Sequence, residues 1–191
     1  MKRGRLVVLS GPSGVGKTTV GQAILKGRIS LVRSVSATTR PRRRREREGR
    51  DYRFLTPAAF EALRRRGGFL EHAVVHGHRY GTPRARVEKA LSGGLDVLLV
   101  IDVQGARQVR LSFPDALFLF LAPPSLAALK ARLSGRRTED REALKRRLSD
   151  ARKELAEASR YDLVLVNDRL ADTVRAVRAA LRPSPAGQKR L

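Results

Sequence analysis

A glycine-rich stretch near the start of the chain constrains the fold more than any other feature. Residues 11–18 read GPSGVGKT and fit the pattern G-x-x-x-x-G-K-[ST]. The apolar run at residues 6–9 predicts a buried strand, and residues 18–26, with apolar side chains at helical spacing, predict a helix. A strand, a glycine loop and a helix in this order are typical of a loop that binds phosphate groups.

Each residue type in this loop has a physical reason to be there. Gly11, Gly14 and Gly16 carry no Cβ, so the backbone can adopt positive φ and direct several N–H groups at one ligand. The positive end of the following helix dipole lies behind these groups. Lys17 is expected to bridge the outer phosphates of a nucleotide, and the Thr18 hydroxyl is expected to bind Mg²⁺. A structural glycine turn before a helix is the alternative.

Composition narrows the possible functions. At 191 residues the chain can form one core with insertions, or one and a half domains. It has no Cys, which excludes disulfides, thiolate zinc sites and cysteine catalysis. His72, His76 and His78 lie in a predicted strand and turn that do not converge, which argues against a metal site there. No apolar run reaches roughly 18 residues, so we expect a cytoplasmic protein without a membrane partner.

The net charge of +23, from 41 Lys and Arg against 18 Asp and Glu, makes nucleic acid a candidate partner. The excess is almost all Arg, a skew that codon bias also produces. No zinc finger, recognition helix or RNA-binding aromatic motif accompanies the charge. Specific nucleic-acid binding is therefore not favoured.

The remaining chain alternates strand-like and helix-like segments. A strand at residues 31–36 runs into a dense arginine segment, which should be open without a ligand. Asp102 ends the apolar strand at 95–102, and ligands of open α/β sheets bind beyond the carboxyl ends of strands. Asp102 is therefore predicted to act on the Mg²⁺ shell, with a helix N-cap as a compatible alternative.

Other elements follow from periodicity and capping residues. Thr56 and Pro57 predict the N-cap and first turn of a short helix. The helix predicted at residues 141–159 has a narrow apolar stripe, which suggests a mobile arm. Further strands are predicted at 51–55, 69–75, 116–121 and 162–167, a turn at 76–79, and further helices at 84–91, 104–110, 126–133 and 170–181.

Eight short motifs, in order, resemble those of guanylate kinases, and the resemblance spans residues 5–181. The motifs are residues 10–17, 34–40, 49–52, 69–71, 80–82, 101–105, 122–125 and 166–168. The resemblance implies an α/β fold of the P-loop NTPase type, with a parallel sheet flanked by helices, an inserted NMP-binding subdomain and a lid. It implies a core of residues 1–36, 84–124 and 156–182, an insert at 37–83, a lid at 125–155 and a tail at 183–191.

The resemblance also implies an activity. A guanylate kinase transfers the γ-phosphoryl group of ATP to GMP or dGMP, in the presence of Mg²⁺, and yields ADP and GDP or dGDP within purine nucleotide metabolism. ATP would then be a co-substrate and GMP or dGMP the small-molecule acceptor. A monomer and a homodimer both remain compatible with the sequence.

Individual residues take their roles from the same resemblance. The implied ATP-binding residues are Gly11, Pro12, Ser13, Gly14, Val15, Gly16, Lys17, Thr18 and Asn167. The implied GMP-binding residues are Ser36, Arg40, Arg43, Tyr52, Glu71, Tyr80 and Thr82. The implied catalytic residues are Lys17, Arg40, Arg43, Arg136 and Arg147, which Arg132 could join. Thr18 and, through water, Asp102 are the implied metal ligands. Glu71 would read guanine, because a carboxylate accepts from N1–H and the 2-amino group together.

The chain departs from the family pattern in two segments. Pro41 comes one place early and Arg45 replaces a glycine, yet the register still puts Arg43 in the second arginine position. Val100 stands where an acidic residue is common. Three other functions stay open: a related P-loop kinase with another phosphorylated acceptor such as a ribose bisphosphate, a non-catalytic guanylate-kinase-like module, and an RNA-binding protein.

Overall fold

The computed structural model describes residues 3–26, 30–75, 77–134 and 141–182. The strands are β1 (Leu6–Ser10), β2 (Leu31–Arg33), β3 (Ala37–Thr38), β4 (Arg53–Phe54), β5 (Phe69–Val75), β6 (His78–Pro83), β7 (Asp96–Val100), β8 (Leu117–Ala122) and β9 (Leu163–Val166). The helices are α1 (Lys17–Leu25), α2 (Pro57–Arg65), α3 (Arg84–Ser92), α4 (Val103–Ser112), α5 (Leu126–Ser134), α6 (Arg141–Leu155) and α7 (Leu170–Ala180), with a 3-10 helix at Ala158–Arg160. None of these helices is long and apolar enough to cross a bilayer.

A five-stranded parallel sheet in the order β2-β7-β1-β8-β9 forms the centre of the molecule. All five residues of β1 are buried, as expected for a parallel strand covered by helices on both faces. Val7 and Leu9 pack in the apolar cluster that includes residues of α1 and α7. Leu6 and Val8 pack in the cluster that includes residues of α3 and α4. The predicted α/β class, with a parallel sheet flanked by helices, is confirmed.

A second, four-stranded sheet in the order β4-β3-β6-β5 lies within residues 37–83. It is antiparallel except for the β3–β4 pair. Phe60 of α2 and Phe69 of β5 stack with ring centroids 4.4 Å apart, and with Ala37 they form a small separate core. This sheet falls where the insert is expected, and the domain boundaries themselves remain a prediction.

Near this sheet, two predicted strands are too long and one predicted turn is partly wrong. The strand predicted at residues 31–36 ends at Arg33, and the chain then enters the second sheet at β3. The strand predicted at 51–55 is limited to β4, and β6 occupies part of a segment interpreted as a turn. Gly81 and Pro83 weaken the strand signal of β6, which is stabilised by its pairing with β5 along most of its length. Such long-range pairing leaves no trace in local periodicity.

The lid region also differs from the prediction. Helix α6 ends at Leu155, four residues early, and a 3-10 helix follows. Leu144, Leu148 and Ala151 of α6 pack with Leu129 and Leu133 of α5. The narrow apolar stripe of α6 therefore packs against one helix, and two or three apolar side chains are enough for such a contact. Movement of this arm stays a prediction.

The small core of the second sheet gives a stability test. We expect Phe60→Ala to lower the free energy of unfolding by about 3–5 kcal/mol, because it deletes a fully buried ring and leaves a cavity. The matched control is Leu111→Ala, whose side chain is 87% exposed and which should change stability by less than about 0.5 kcal/mol. Urea denaturation measures both. Similar small losses in the two variants would contradict a packed core around Phe60.

Candidate active site

The loop between β1 and α1 has the backbone geometry predicted from its glycines. Gly11, Gly14 and Gly16 have φ values of 140°, 84° and 101°. A Cβ at Gly11 would collide with the carbonyl oxygen of Leu121 on β8, so only glycine lets the loop pass this close to the sheet. Gly16 is the N-cap of α1 and has no side chain to bond the first-turn amides. These amides and the helix dipole are left to bind an anion.

Side chains from α1 and α6 cover this loop. The Lys17 ammonium donates to the carbonyl oxygens of Gly11 at 2.6 Å and Pro12 at 3.0 Å. Ser13 contacts α6 twice, since its hydroxyl accepts from Nη2 of Arg147 at 2.9 Å and its amide donates to Oε2 of Glu154 at 3.4 Å. Arg147, predicted from the resemblance, thus lies on the phosphate loop. Thr18 is exposed on the first turn of α1.

Asn167 and Arg132 hold the opposite side of the loop. Nδ2 of Asn167 donates to the carbonyl oxygen of Val15 at 2.7 Å, and its Oδ1 accepts from the Thr173 hydroxyl at 2.9 Å. Arg132 donates to the backbone oxygens of Asn167 at 2.9 Å and Val15 at 3.5 Å. Asn167 is 8% exposed, and a Cβ at Gly16 would lie 2.7 Å from its Nδ2. Its side chain braces the loop, and its place beside the adenine of ATP stays a prediction.

Asp102 lies beyond the carboxyl end of β7, beside the strand that leads into the loop. Val100 of β7 is opposite Leu9 of β1 in the parallel ladder. The Asp102 carboxylate accepts from the amide of Gly105 at 2.7 Å and caps α4. The N-cap interpretation is confirmed, and the second carboxylate oxygen leaves room for the metal role, which remains a prediction.

Glu71 on β5 is a buried carboxylate, 4% exposed. Its Oε1 accepts from the hydroxyl of Thr82, its partner across the β5–β6 ladder, at 2.5 Å. A Cβ at position 105 would collide with Oε2 of Glu71. Because this residue is a glycine, the first turn of α4 leaves space for the carboxylate. Burial, the largest effect, raises the pKa of Glu71 to about 7. The charge of Asp102 also raises this pKa, whereas the hydrogen bond from Thr82 lowers it.

Arg40 is the centre of a polar cluster on the second sheet. Its Nη2 lies 2.6 Å from Oε1 of Glu46, its Nε donates to the Tyr80 hydroxyl at 3.2 Å, and its guanidinium lies 5.5 Å from the ring centroid of Tyr52. Oε2 of Glu46 accepts from the backbone amide of Arg43 at 2.9 Å. Burial alone would raise the pKa of Glu46, but the bonds from Arg40 and Arg43 outweigh it and lower that pKa.

The predicted site residues therefore fall into two groups. A cleft of about 290 Å³ brings together Ser13, Asp102 and Arg147. The Arg40 cluster brings together Arg40, Tyr52 and Tyr80 on the second sheet. Three further predicted positions lie in neither group: the side chain of Arg43 is exposed, Ser36 is half-buried between β2 and β3, and Arg136 lies outside the described residues.

Sequence reasoning missed two carboxylates in these groups, Glu46 and Glu154. Glu46 stands within a run of arginines, and a carboxylate among so many cations could have been expected to pair with one of them. Glu154 is one of many charged residues on α6, and its spacing does not distinguish it. Only the folded chain shows that it reaches the phosphate loop.

A parallel sheet whose central strand leads through a glycine loop to the N-terminus of a helix defines the P-loop NTPase class of proteins. A family model described as guanylate kinase matches residues 3–184. The chain belongs to the guanylate kinase family.

Individual relatives agree with this family. The chain is 49% identical over 179 residues to the guanylate kinase of Chlorobium luteolum, with 93% of this chain and 91% of the relative covered. It is 51% identical over 172 residues to the guanylate kinase of Thermus thermophilus, with 90% and 78% covered. The crystal structure of guanylate kinase from Anaplasma phagocytophilum aligns with a TM-score of 0.79 at 34% identity, over 95% of this chain and 86% of that one.

The buried carboxylate makes stability depend on pH. The pKa of Glu71 is about 7 in the folded protein against 4.5 as its ordinary value, so the folded state holds the proton more tightly. The stabilisation is complete below the ordinary pKa and is lost as pH rises towards 7. We expect the unfolding free energy of the natural protein, relative to Glu71→Gln, to fall by about 2–3 kcal/mol between about pH 5 and 8.

Urea denaturation of both proteins at several pH values checks this prediction. The glutamine variant is the reference because its amide cannot ionise, while every other titrating group is shared. A constant difference across the range would mean that Glu71 titrates as an ordinary exposed carboxyl.

Proposed function

We propose that this chain transfers the γ-phosphoryl group of ATP to GMP or dGMP, giving ADP and GDP or dGDP. The observation that carries the proposal is the presence, in one chain, of an intact phosphate loop with Lys17 and of the buried carboxylate Glu71. A sugar-phosphate acceptor would give Glu71 no donors to bind. A non-catalytic interaction module would need neither the intact loop nor the arginine on it.

The acceptor base would be selected by Glu71. In its ionised form the carboxylate accepts from two adjacent donors, and guanine offers these in N1–H and the 2-amino group. Adenine presents a bare N1 at the same edge, so the ionised Glu71 would gain no donor from the base, at a cost of about 1–3 kcal/mol or more. Thr82 orients the carboxylate through its hydrogen bond, and Ser36 is assigned to the same edge.

The acceptor phosphate would be bound by the Arg40 cluster. Arg40 and Arg43 supply charge-assisted hydrogen bonds, and Tyr52 and Tyr80 supply hydroxyl groups. Glu46 holds the Arg40 guanidinium in place before the phosphate arrives. A pre-oriented guanidinium loses less conformational entropy on binding than a free one.

The donor phosphates would lie on the loop amides under Lys17, Arg147 and Arg136. Phosphoryl transfer depends on positioning and charge neutralisation, which such a set of cations supplies. Inward movement of the insert at 37–83 and the lid at 125–155 would exclude water from the reacting groups.

Mg²⁺ fits the residues beside the loop. This ion binds one or two protein oxygens and completes its shell with water and substrate phosphates. Among the residues that the structure describes, no group of three or more His, Asp or Glu side chains could hold a metal alone. Thr18 and, through water, Asp102 would hold Mg²⁺, which supplies charge neutralisation at the donor phosphates.

Release of ADP with a panel of acceptors tests the activity. With ATP and Mg²⁺ we expect turnover with GMP and dGMP, and a kcat/KM for AMP at least about 10³-fold lower, because adenine offers the ionised Glu71 no donors. Lys17→Met should lower turnover with GMP by more than about tenfold. Comparable rates with AMP, CMP or UMP would contradict the assignment of guanine.

The arginine run at residues 42–45 provides a test of register. We expect Arg43→Ala to lower kcat/KM for GMP at least about tenfold, since a charge-assisted contact contributes about 1.5–3 kcal/mol. Arg44→Ala and Arg45→Ala should each lose less than about fivefold, because exposed charges are screened at about 0.15 M salt.

Arg42→Ala is the fourth variant in this series. The early position of Pro41 makes Arg42 the one neighbour that could replace Arg43, and Arg42 donates to the backbone oxygen of Glu46 at 3.2 Å. A large loss only in Arg42→Ala would mean that the register is wrong by one. Four equal small losses would mean that the run acts only as a diffuse positive field.

A further inference from the structure

A carboxylate of α6 occupies an anion-binding group of the phosphate loop. The amide of Ser13 lies inside the glycine loop and donates to Oε2 of Glu154 at 3.4 Å. Arg147, about two turns earlier on the same helix, bonds the hydroxyl of the same serine. One helix thus brings both a cation and an anion to the loop. The cation has a role towards phosphates in the proposed function, whereas the anion has none.

Glu154 shares the surroundings that the donor phosphates would need. It is half-buried and lines the cleft of about 290 Å³ together with Ser13, Asp102 and Arg147. Burial, the largest effect, raises the pKa of Glu154, and the charge of Lys17 acts in the opposite direction. The Lys17 ammonium therefore lies near enough to attract this carboxylate.

A triphosphate and the Glu154 carboxylate cannot share these groups. Two like charges a few ångströms apart in a partly buried cleft repel each other strongly. The repulsion adds to that of Asp102 and Asp150, which also raise the pKa of Glu154. Glu154 differs from Asp150, one turn earlier on α6, in accepting from a loop amide, whereas Asp150 is exposed.

We propose that Glu154 competes with the phosphates of ATP for the phosphate loop. Without nucleotide, its carboxylate accepts a hydrogen bond from the Ser13 amide and partly neutralises the charge of Lys17. These interactions hold the end of α6 against the loop. ATP binds by displacing it, and after transfer the returning carboxylate favours release of ADP. The inference rests on the proposed function, because it takes the donor phosphates as the ligand of the loop.

Removing the charge while keeping the shape tests the competition. Glu154→Gln still offers the Ser13 amide an acceptor oxygen but has no charge. We expect its Kd for ATP and for inorganic tripolyphosphate to fall about 5- to 20-fold, equivalent to about 1–2 kcal/mol. Isothermal titration calorimetry without GMP measures both constants, and thermal unfolding checks that the variant is folded.

Asp150→Asn is the matched control. It makes the same change of net charge on the same helix, one turn away and at an exposed position of the same cleft. We expect its Kd values to change by less than about twofold. Glu154→Asp is a second variant, which keeps the charge but shortens the side chain by one methylene. It should tighten both ligands by about 2- to 5-fold, because the carboxylate no longer reaches the Ser13 amide.

Each outcome decides between competition and another role. An equal fall in the Kd for both ligands in Glu154→Gln and Asp150→Asn would overturn the proposal, because it would mean that any negative charge in the cleft weakens polyphosphate binding. Weaker binding in Glu154→Gln would overturn it by showing that the carboxylate assists the nucleotide. Failure of the natural protein to bind either polyphosphate would remove the donor site, and with it the proposed function. Normal binding and GMP turnover with unchanged constants in the variants would overturn only this inference.

Discussion

The close passage of Gly11 beside the carbonyl oxygen of Leu121 fixes where the phosphate loop leaves the sheet. The strand before it is fully buried between β7 and β8, so the starting point of the loop is as rigid as the core. Asn167 and Arg132 hold the carbonyl oxygen of Val15 at the other side of the loop. The direction of the loop amides is therefore set by packing and backbone contacts before any ligand binds, which is the condition for electrostatic preorganisation.

Two carboxylates balance the positive charge of the site. Glu46 lies on Arg40, where the acceptor phosphate is proposed to bind, and Glu154 lies on the loop, where the donor phosphates are proposed to bind. A site designed for several phosphates would otherwise leave its cations close together without counter-ions. Internal carboxylates reduce this repulsion in the free protein, and incoming phosphates, with more charge and more acceptor oxygens, compete with them for the same donors.

The features that the sequence predicted well are those that neighbouring residues determine. The positive φ values of the loop follow from its glycines, and Thr56 caps α2 by accepting from the amide of Ala59 at 3.2 Å, as its place before Pro57 indicated. Likewise, Asp102 caps α4 three residues before Gly105. In each case a local conformational preference and the tertiary structure agree.

The features that could not be predicted depend on residues far apart in the chain. Gly81 in β6 disfavours a strand locally, yet it lies under the ring of Phe69, where a Cβ would come within 2.8 Å of ring carbon Cδ1. Packing across the hairpin thus requires the residue that local propensity penalises. Glu154 reaches Ser13, more than a hundred residues away, only because α6 packs on α5. No window along the sequence contains both partners.

The perturbed carboxyl of Glu71 links the proposed acceptor binding to proton exchange with the solvent. With a pKa of about 7, the side chain carries a proton in a large share of molecules near neutrality. In the proposed function the neutral acid would present an O–H where guanine presents its own donors, so GMP would have to displace that proton to bind. The heat of binding would then vary with the ionisation enthalpy of the buffer, and acceptor affinity would decline as the surroundings acidify. The residue proposed to distinguish guanine from adenine would thereby also make nucleotide phosphorylation sensitive to the acidity of the cell.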